Sequence, residues 1–389
     1  MLSRVSSSGV SHSESIAPTS LGQATEVHIP ELTALAVRGL VEMFDVEKQL
    51  FCFRLNQSQG RLVREGYSSR YTLISLLGLH RLEAAGISSP IPVRTVFDGW
   101  IQGAIPIPNI GDLGLTLWLC ALVSPERLDE LYSSLNVRVA LSHSKEARQG
   151  RTMELAWFLS GLAHAGSVPG HSLPGLGDLA VKTFHLLKKN HGARGPFGHG
   201  FKEGTLAGVL RGEVGSFADQ VYPIYALAKF ARVFQRPAAL EPALECADAI
   251  CMAQGFLGEW WWHYHSHNGR VLQRYPVYSV HQHGMAPMAL FALTEATQVD
   301  FSEPIYKGLR WIAGNNSLVA DLRVESAGVI WRGIYQHGTY RKYFGNALNF
   351  FGIADDDTAG DLGIRFECRP YELGWLLYAF ASRRRTEQL

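Results

Sequence analysis

The chain has 389 residues, 47% hydrophobic and 18% charged, with a formal net charge of +1. This is the composition of a globular, core-rich protein, and its dispersed, nearly balanced charge offers no basic footprint for nucleic acid. No apolar run approaches the roughly 20 residues of a membrane span.

Residues 1–28 form a Ser-rich tail, poor in aromatics, that cannot bury enough surface to repay ordering and reads as disordered. It holds no apolar stretch of the signal-peptide kind. The five cysteines (Cys52, Cys120, Cys246, Cys251, Cys368) lack CxxC spacing, so reduced thiols and a cytoplasmic location are expected. Residues 29–389 read as one catalytic domain.

From Glu31, ELTALAVRGLVEMF has apolar residues at helical spacing and one polar face. SSRYTLISLLGL from Ser68 differs: it opens on Arg70 and Tyr71 and then turns oily. GDLGLTLWLCAL from Gly111 repeats that opening with Asp112, and RTMELAWFLSGL from Arg151 repeats it with Glu154. Amphipathic segments lie at Glu126 (ERLDELYSSL) and Leu176 (LGDLAVKTFHLLKKN). HGARGPFGHGFKEG from His191 is too Gly-rich for regular structure and predicts a loop over a site. FADQVYPIYALA from Phe217 opens on Asp219 and Gln220, and the amphipathic LEPALECADAICMAQ follows from Leu240. In GEWWWHYHSHNGRVLQRYPVYSV, aromatics flank Asn268-Gly269, which predicts a β-hairpin. The hairpin feeds VHQHGMAPMALFAL, headed by His281, Gln282 and His283. Two more amphipathic segments, from Glu303 and Thr339, precede CRPYELGWLLYAF, headed by Arg369 and Glu372.

Six polar-headed apolar segments thus alternate with amphipathic ones. Each pair has an apolar face it cannot bury alone, and a closed ring buries all of them. The predicted fold is all-α: an (α/α)6 toroid of inner and outer helices with a small β-hairpin insertion. Small residues (Gly78, Gly114, Gly161, Ala226, Ala286, Ala289, Gly374) permit the close approach an inner ring needs. Parallel inner helices would gather their polar heads at one mouth.

This alternation resembles the six-hairpin toroids of carbohydrate-active proteins: N-acylglucosamine 2-epimerases, glucuronyl C5-epimerases, and toroidal lyases and hydrolases. The resemblance is architectural and spans about residues 30–385. Gln254-Gly255-Phe256-Leu257-Gly258-Glu259-Trp260 also resembles the Q-x3-G-x-W repeat ending of squalene-cyclase toroids. Asp355-Asp356-Asp357-Thr358-Ala359 partly resembles their acidic motif, with Asp356 in the place of the protonating acid but Ala354 where its first Asp belongs.

Proton transfer near neutral pH calls first on histidine. His281 is the candidate base, with Tyr278 or Glu372 as the partner acid. Glu154 and Asp219 are further catalytic candidates, since carboxylates are stabilised at helix N-termini. Arg369 could clamp an anionic group bidentately. Tyr71, Trp260, Trp262, Tyr264, Trp331 and Tyr335 offer faces on which sugar rings stack, and Gln282 and His283 could bond hydroxyls. His263, His265 and His267 alternate along a strand, but the turn at Asn268 leaves the set unconverged, so no metal and no cofactor is expected. The residues together predict a soluble enzyme acting on a sugar, oligosaccharide or lipid-linked glycan, as epimerase, lyase or hydrolase. A terpene cyclase using Asp356 and a non-catalytic glycan- or peptide-binding toroid are the alternatives.

Overall fold

Polar heads on apolar helices need caps, and the sequence supplies them. Ser68 Oγ accepts the Tyr71 N–H (3.2 Å) at the start of one inner helix, and Asn109 Oδ1 accepts the Asp112 N–H (2.9 Å) at the next. In the computed structural model, which describes residues 27–103, 107, 109–201, 212–337 and 361–383, the helices are α1 (Ile29–Met43), α2 (Ser69–Ala84), α3 (Val93–Gln102), α4 (Ile110–Val123), α5 (Leu128–Ser134), α6 (Val137–His143), α7 (Lys145–Arg148), α8 (Thr152–Gly166), α9 (Leu176–Lys188), α10 (Ala218–Val233), α11 (Leu240–Met252), α12 (Ala286–Thr297), α13 (Ser302–Ile312) and α14 (Pro370–Phe380).

The inner helices α2, α4, α8, α10, α12 and α14 pack in that order, and α14 returns to α2, so the ring is closed. They are buried all round, as helices apolar on every face must be. Close approach comes from glycine: a Cβ added at Gly114 would overlap the Trp157 carbonyl, and one at Gly161 would overlap the Gly114 carbonyl. The outer helices α1, α3, α5, α9, α11 and α13 each precede an inner partner. Two details differ from the sequence reading. The outer helix before α4 is α3, which had not been marked, and the segment from Thr339 lies outside the described residues, as do the tail of residues 1–26 and Asp355–Asp357.

Short strands crown the N-terminal ends of the inner helices. The expected hairpin forms between β5 (His263–His265) and β6 (Val271–Gln273), with β4 (Val214–Ser216) on its other edge. A longer hairpin had not been foreseen: β2 (Leu50–Ser58) pairs with β3 (Arg61–Tyr67), turning at Gln59 and Gly60, both at positive φ. β2 also pairs with β1 (Phe44–Asp45) and with β12 (Glu367–Cys368) just before α14, and β7 (Val277–Tyr278) joins β10 (Gly333–Gln336) and β11 (Leu362–Arg365); β8 (Arg323–Val324) and β9 (Val329–Ile330) pair apart. The Q-x3-G-x-W segment is a clasp: Gln254 Nε2 donates to the carbonyls of Gly258 (3.1 Å) and Pro304 (2.9 Å), tying α11 to α13. All five cysteines are unpaired, and all but Cys251 are buried.

Candidate active site

Three of the polar heads, Arg70, Tyr71 and His281, line a cavity of about 260 Å³ at the mouth of the ring. Arg70 and Tyr71 come from α2, Met153 and Trp157 from α8, and Ala218 and Tyr222 from α10. Trp262, Tyr278, His281 and Arg332 come from the strands and turns above. His281 opens a five-residue π-helical turn, His281–Met285, that runs into α12; such turns recur at functional sites because they re-aim side chains.

One wall is an ion-pair ladder. The Arg332 guanidinium contacts Glu372 Oε1 and lies 3.0 Å from Glu367 Oε1. Glu367 also takes Arg369 Nη2 (2.9 Å) and, on its other oxygen, Arg54 Nη1 (2.9 Å) from β2. Arg332 sits 4.8 Å from the centre of the Tyr278 ring, and Arg369 donates to the Tyr71 hydroxyl (3.1 Å) and covers the Phe53 ring at 4.5 Å. Burial pushes the Glu372 carboxyl up to about 7, partly offset by Arg332. Its Oε2 accepts the Arg369 N–H (3.2 Å), so both oxygens are engaged in holding the helix start.

Behind Ser216, which lines the cavity, stand two carboxylates with an oxygen that has no partner among the described residues. Glu154 is half-buried at the start of α8; burial first, and then the charge of Asp219, raise its pKa, with Arg70 opposing. Its Oε2 is buried with no hydrogen-bond partner among the described residues. Asp219 is held through Oδ2, which accepts from the Ser216 N–H (2.9 Å), the Ser216 hydroxyl (2.8 Å) and His199 Nδ1 (3.1 Å). Its Oδ1 is buried and has no partner among the described residues. Arg70 grips Asp112 bidentately (2.6 and 2.9 Å) and lies 5.0 Å from the Trp157 ring centre. A carboxyl raised in pKa beside a second, hydrogen-bonded carboxylate is the kind of pair that acid–base chemistry uses.

The structure sorts the sequence candidates. Tyr71, Trp262, Tyr278 and His281 line this cavity; Arg369 stands behind Tyr71, Asp219 behind Ser216, and Glu154 within reach of the charge of Asp219, none of the three in the lining itself. His281 does not fit the role of base: burial drives its pKa down to about 3, and its Nδ1 is 3.2 Å from the Trp260 carbonyl. Glu372 is at the mouth but committed to Arg332 and the Arg369 N–H rather than offered to a ligand. Trp260, Tyr264 and Trp331 are fully buried core residues, not a stacking wall: the first two pack against Phe217 and Trp331 against Phe366. Gln282 is also buried, accepting the Trp260 N–H and donating to the Tyr278 carbonyl. His283 is wholly buried, its pKa lowered to about 3, because the helical turn swings it away from His281. Tyr335 lies on β10 against His337. His263 and His265 are taken up by Gln273 (2.9 Å) and Glu213 (3.8 Å). The sequence offers Glu367 as a partner of Arg369, and the structure forms that pair (2.9 Å); Arg332, Tyr222 and Tyr371 were missed, and only the apolar helices around the two tyrosines could have hinted at them.

No protein-family model matches the sequence, and no curated protein is similar to it. Solved structures do match along nearly the whole chain. A possible member of the GH105 family from Klebsiella pneumoniae is 14% identical, with a TM-score of 0.60 over 91% of this chain and 92% of that one. An unsaturated glucuronyl hydrolase specific for heparin is 15% identical (TM-score 0.58; 91% and 96%). The unsaturated glucuronyl hydrolase of Bacillus sp. GL1, responsible for degradation of glycosaminoglycan, is 14% identical (TM-score 0.54; 92% and 95%). At this identity the likeness establishes the fold, the (α/α)6 toroid.

Proposed function

We propose that this chain is a glycoside hydrolase acting on an oligosaccharide, with Glu154 as proton donor and Asp219 as the base that orients water. The observation that carries the reading is the environment of the two carboxylates. Glu154 is desolvated and raised in pKa, with Oε2 lacking a hydrogen-bond partner among the described residues, while Asp219 accepts three hydrogen bonds on Oδ2 and its buried Oδ1 has none among them. Inverting and retaining mechanisms both require such a divided pair. Tyr71, Trp157 and Trp262 provide ring faces and Arg70 a cation beside the sugar subsite. The toroidal neighbours that cleave unsaturated glucuronyl units support a uronate-bearing glycan as the first substrate to try.

Purified protein offered unsaturated disaccharides from heparin and chondroitin, alongside saturated aryl glycosides, should release a monosaccharide. Glu154→Gln should lower turnover by roughly 10²–10⁴-fold, the ordinary worth of a general acid, with an unchanged far-ultraviolet spectrum. The products separate the related readings: an inverted carbon marks an epimerase, and a new double bond a lyase. A glycan that is bound but recovered unchanged marks a binding toroid. Full activity in Glu154→Gln removes the proposed acid.

A further inference from the structure

The β2–β3 hairpin leaves one strand edge open. Among the described residues β3 pairs with β2 alone, while β2 is covered on its other side by β1 and β12. The Gln57 N–H donates to the Phe366 carbonyl next to β12. Because backbone direction alternates along an antiparallel strand, Asn56 and Ser58 turn the other way and bond their partners Val63 and Arg61. Leu62 and Arg64 therefore point their own N–H and C=O groups out of the sheet. The strand is seven residues long and holds neither Lys nor Pro, two of the usual guards of an edge. Its surroundings are apolar for an exposed surface: Val41, Val46, Phe53, Val63 and Tyr67 are five of the twelve large hydrophobic side chains that stand exposed among the described residues.

We infer that β3 is the docking edge for a second copy of this chain, the two β3 strands pairing antiparallel about a two-fold axis at Val63. Such an axis sets one residue opposite its own counterpart, and charge decides which. With the axis at Val63, Leu62 of each copy lies opposite Arg64 of the other, so the outward backbone groups meet and each of those pairs exchanges its hydrogen bonds. Arg61, Val63 and Glu65 share a face, and Arg61 of each copy then stands opposite Glu65 of the other, flanking a central Val63 pair. Glu65 is already held by Arg54 Nε (2.7 Å) and Asn56 Nδ2 (3.0 Å), which fixes its carboxylate for the incoming guanidinium. Moving the axis to Arg64 sets two guanidiniums opposite each other, and moving it to Leu62 sets Arg61 against Val63; opposite charges across strands stabilise and like charges destabilise. The sequence Arg61–Glu65 is thus complementary to itself in one register, which favours a copy of this chain over an unrelated extended peptide. The inference is independent of the hydrolase reading. It concerns the mouth all the same, because β2, at the centre of the joined sheet, carries the Arg54 that pairs with Glu367.

Sedimentation velocity of the full chain across roughly 1–100 μM should show a reversible monomer–dimer equilibrium. Arg61→Glu sets like charges opposite Glu65 in both halves, and Glu65→Lys does the same opposite Arg61; each should weaken association roughly tenfold or more. Mixed in equal amounts, the two variants restore both opposite-charge pairs in the heterodimer and should recover association, a gain that misfolding cannot produce. Arg64→Pro removes an outward N–H at an edge position, where proline is tolerated, and should weaken the dimer with unchanged circular dichroism. Val63→Cys lies opposite itself in a non-hydrogen-bonded pair, with Cα atoms about 4.5 Å apart and within disulfide range. It should form a covalent dimer on mild oxidation far faster than wild type, whose cysteines are all buried except Cys251. A chain that stays monomeric throughout the range overturns the proposal. So does a dimer that Arg61→Glu and Arg64→Pro both leave intact, or a Val63→Cys variant that links no faster than wild type.

Discussion

His281 shows how burial can overrule residue type. Its ring faces the cavity, yet desolvation holds it neutral and a poor proton acceptor, so it can orient or donate but not titrate near neutral pH. His281→Asn, which can keep a donor toward the Trp260 carbonyl, should retain activity within about tenfold and leave both limbs of the pH–rate profile in place. A lost or displaced limb would return the imidazole to proton transfer. The alkaline limb of wild type should lie above the ordinary carboxylate range, because the acid must stay protonated and Glu154 is raised. The ion-pair ladder gives a second contrast. Arg332 faces two buried carboxylates, so Arg332→Leu strands Glu372, while Glu367 keeps Arg369 and Arg54, and should cost about 3–5 kcal/mol by urea denaturation. Glu372→Gln removes a group already raised to about 7 and should cost clearly less at neutral pH. Equal losses would show that Arg332 is not the keystone of that wall.

At the scale of helices, the ring is set by backbone contact. Gly114 and Gly161 lie face to face, and Gly78 meets the Gly374 carbonyl in the same way. Gly161→Ala gains helix propensity but must push α8 off α4, and overpacking of this kind costs roughly 1–3 kcal/mol. Gly99→Ala in α3 meets nothing within 4 Å and should stabilise by about 0.5–1 kcal/mol. Opposite signs in a paired denaturation experiment check the claim; two stabilising substitutions would contradict tight inner packing. These contacts also explain what was legible. Inner helices announce themselves through a polar head, an oily body and small residues, and all six stand where the pattern places them. The α3 helix carries its few buried residues, Val93, Val96, Phe97 and Trp100, behind an unremarkable start at Pro92. The β2–β3 turn uses Gln59 at positive φ rather than Asn or Asp, so it lacks the usual hairpin signal. The ladder was hidden for a different reason: Arg54 and Glu367 are 313 residues apart, and no local pattern can join them. Likewise, periodicity places Trp260, Tyr264 and Trp331 near the mouth but cannot say whether they face it or the core.

At the scale of the whole molecule, closing the ring buries ionisable groups of opposite sign, and their linkage to pH competes. His281 and His283 have folded pKa values of about 3, depressed from 6.5. Depressed groups lend stability that is complete above the unfolded pKa and is lost as pH falls, here from about 6.5 toward 3. Each imidazole costs about 1.4 kcal/mol per pH unit across that window, because the unfolded chain binds a proton that the native state refuses. Glu372 runs the other way: its folded pKa is raised from 4.5 to about 7, so its contribution is full below 4.5 and fades as pH rises to about 7. Between pH 6.5 and 4.5 it therefore offsets about one histidine, and of these three groups the net is one imidazole's loss on acidification. Urea midpoints at pH 7.0 and 5.5 should show stability falling modestly in wild type. The fall should steepen in Glu372→Gln, where the offset is gone, and become shallower in His281→Asn, where one imidazole's loss is gone while the buried His164 keeps its own. A fall unaltered by either substitution would mean that these groups are not held in the protonation states their burial imposes, and that water reaches the inner ring beneath the mouth.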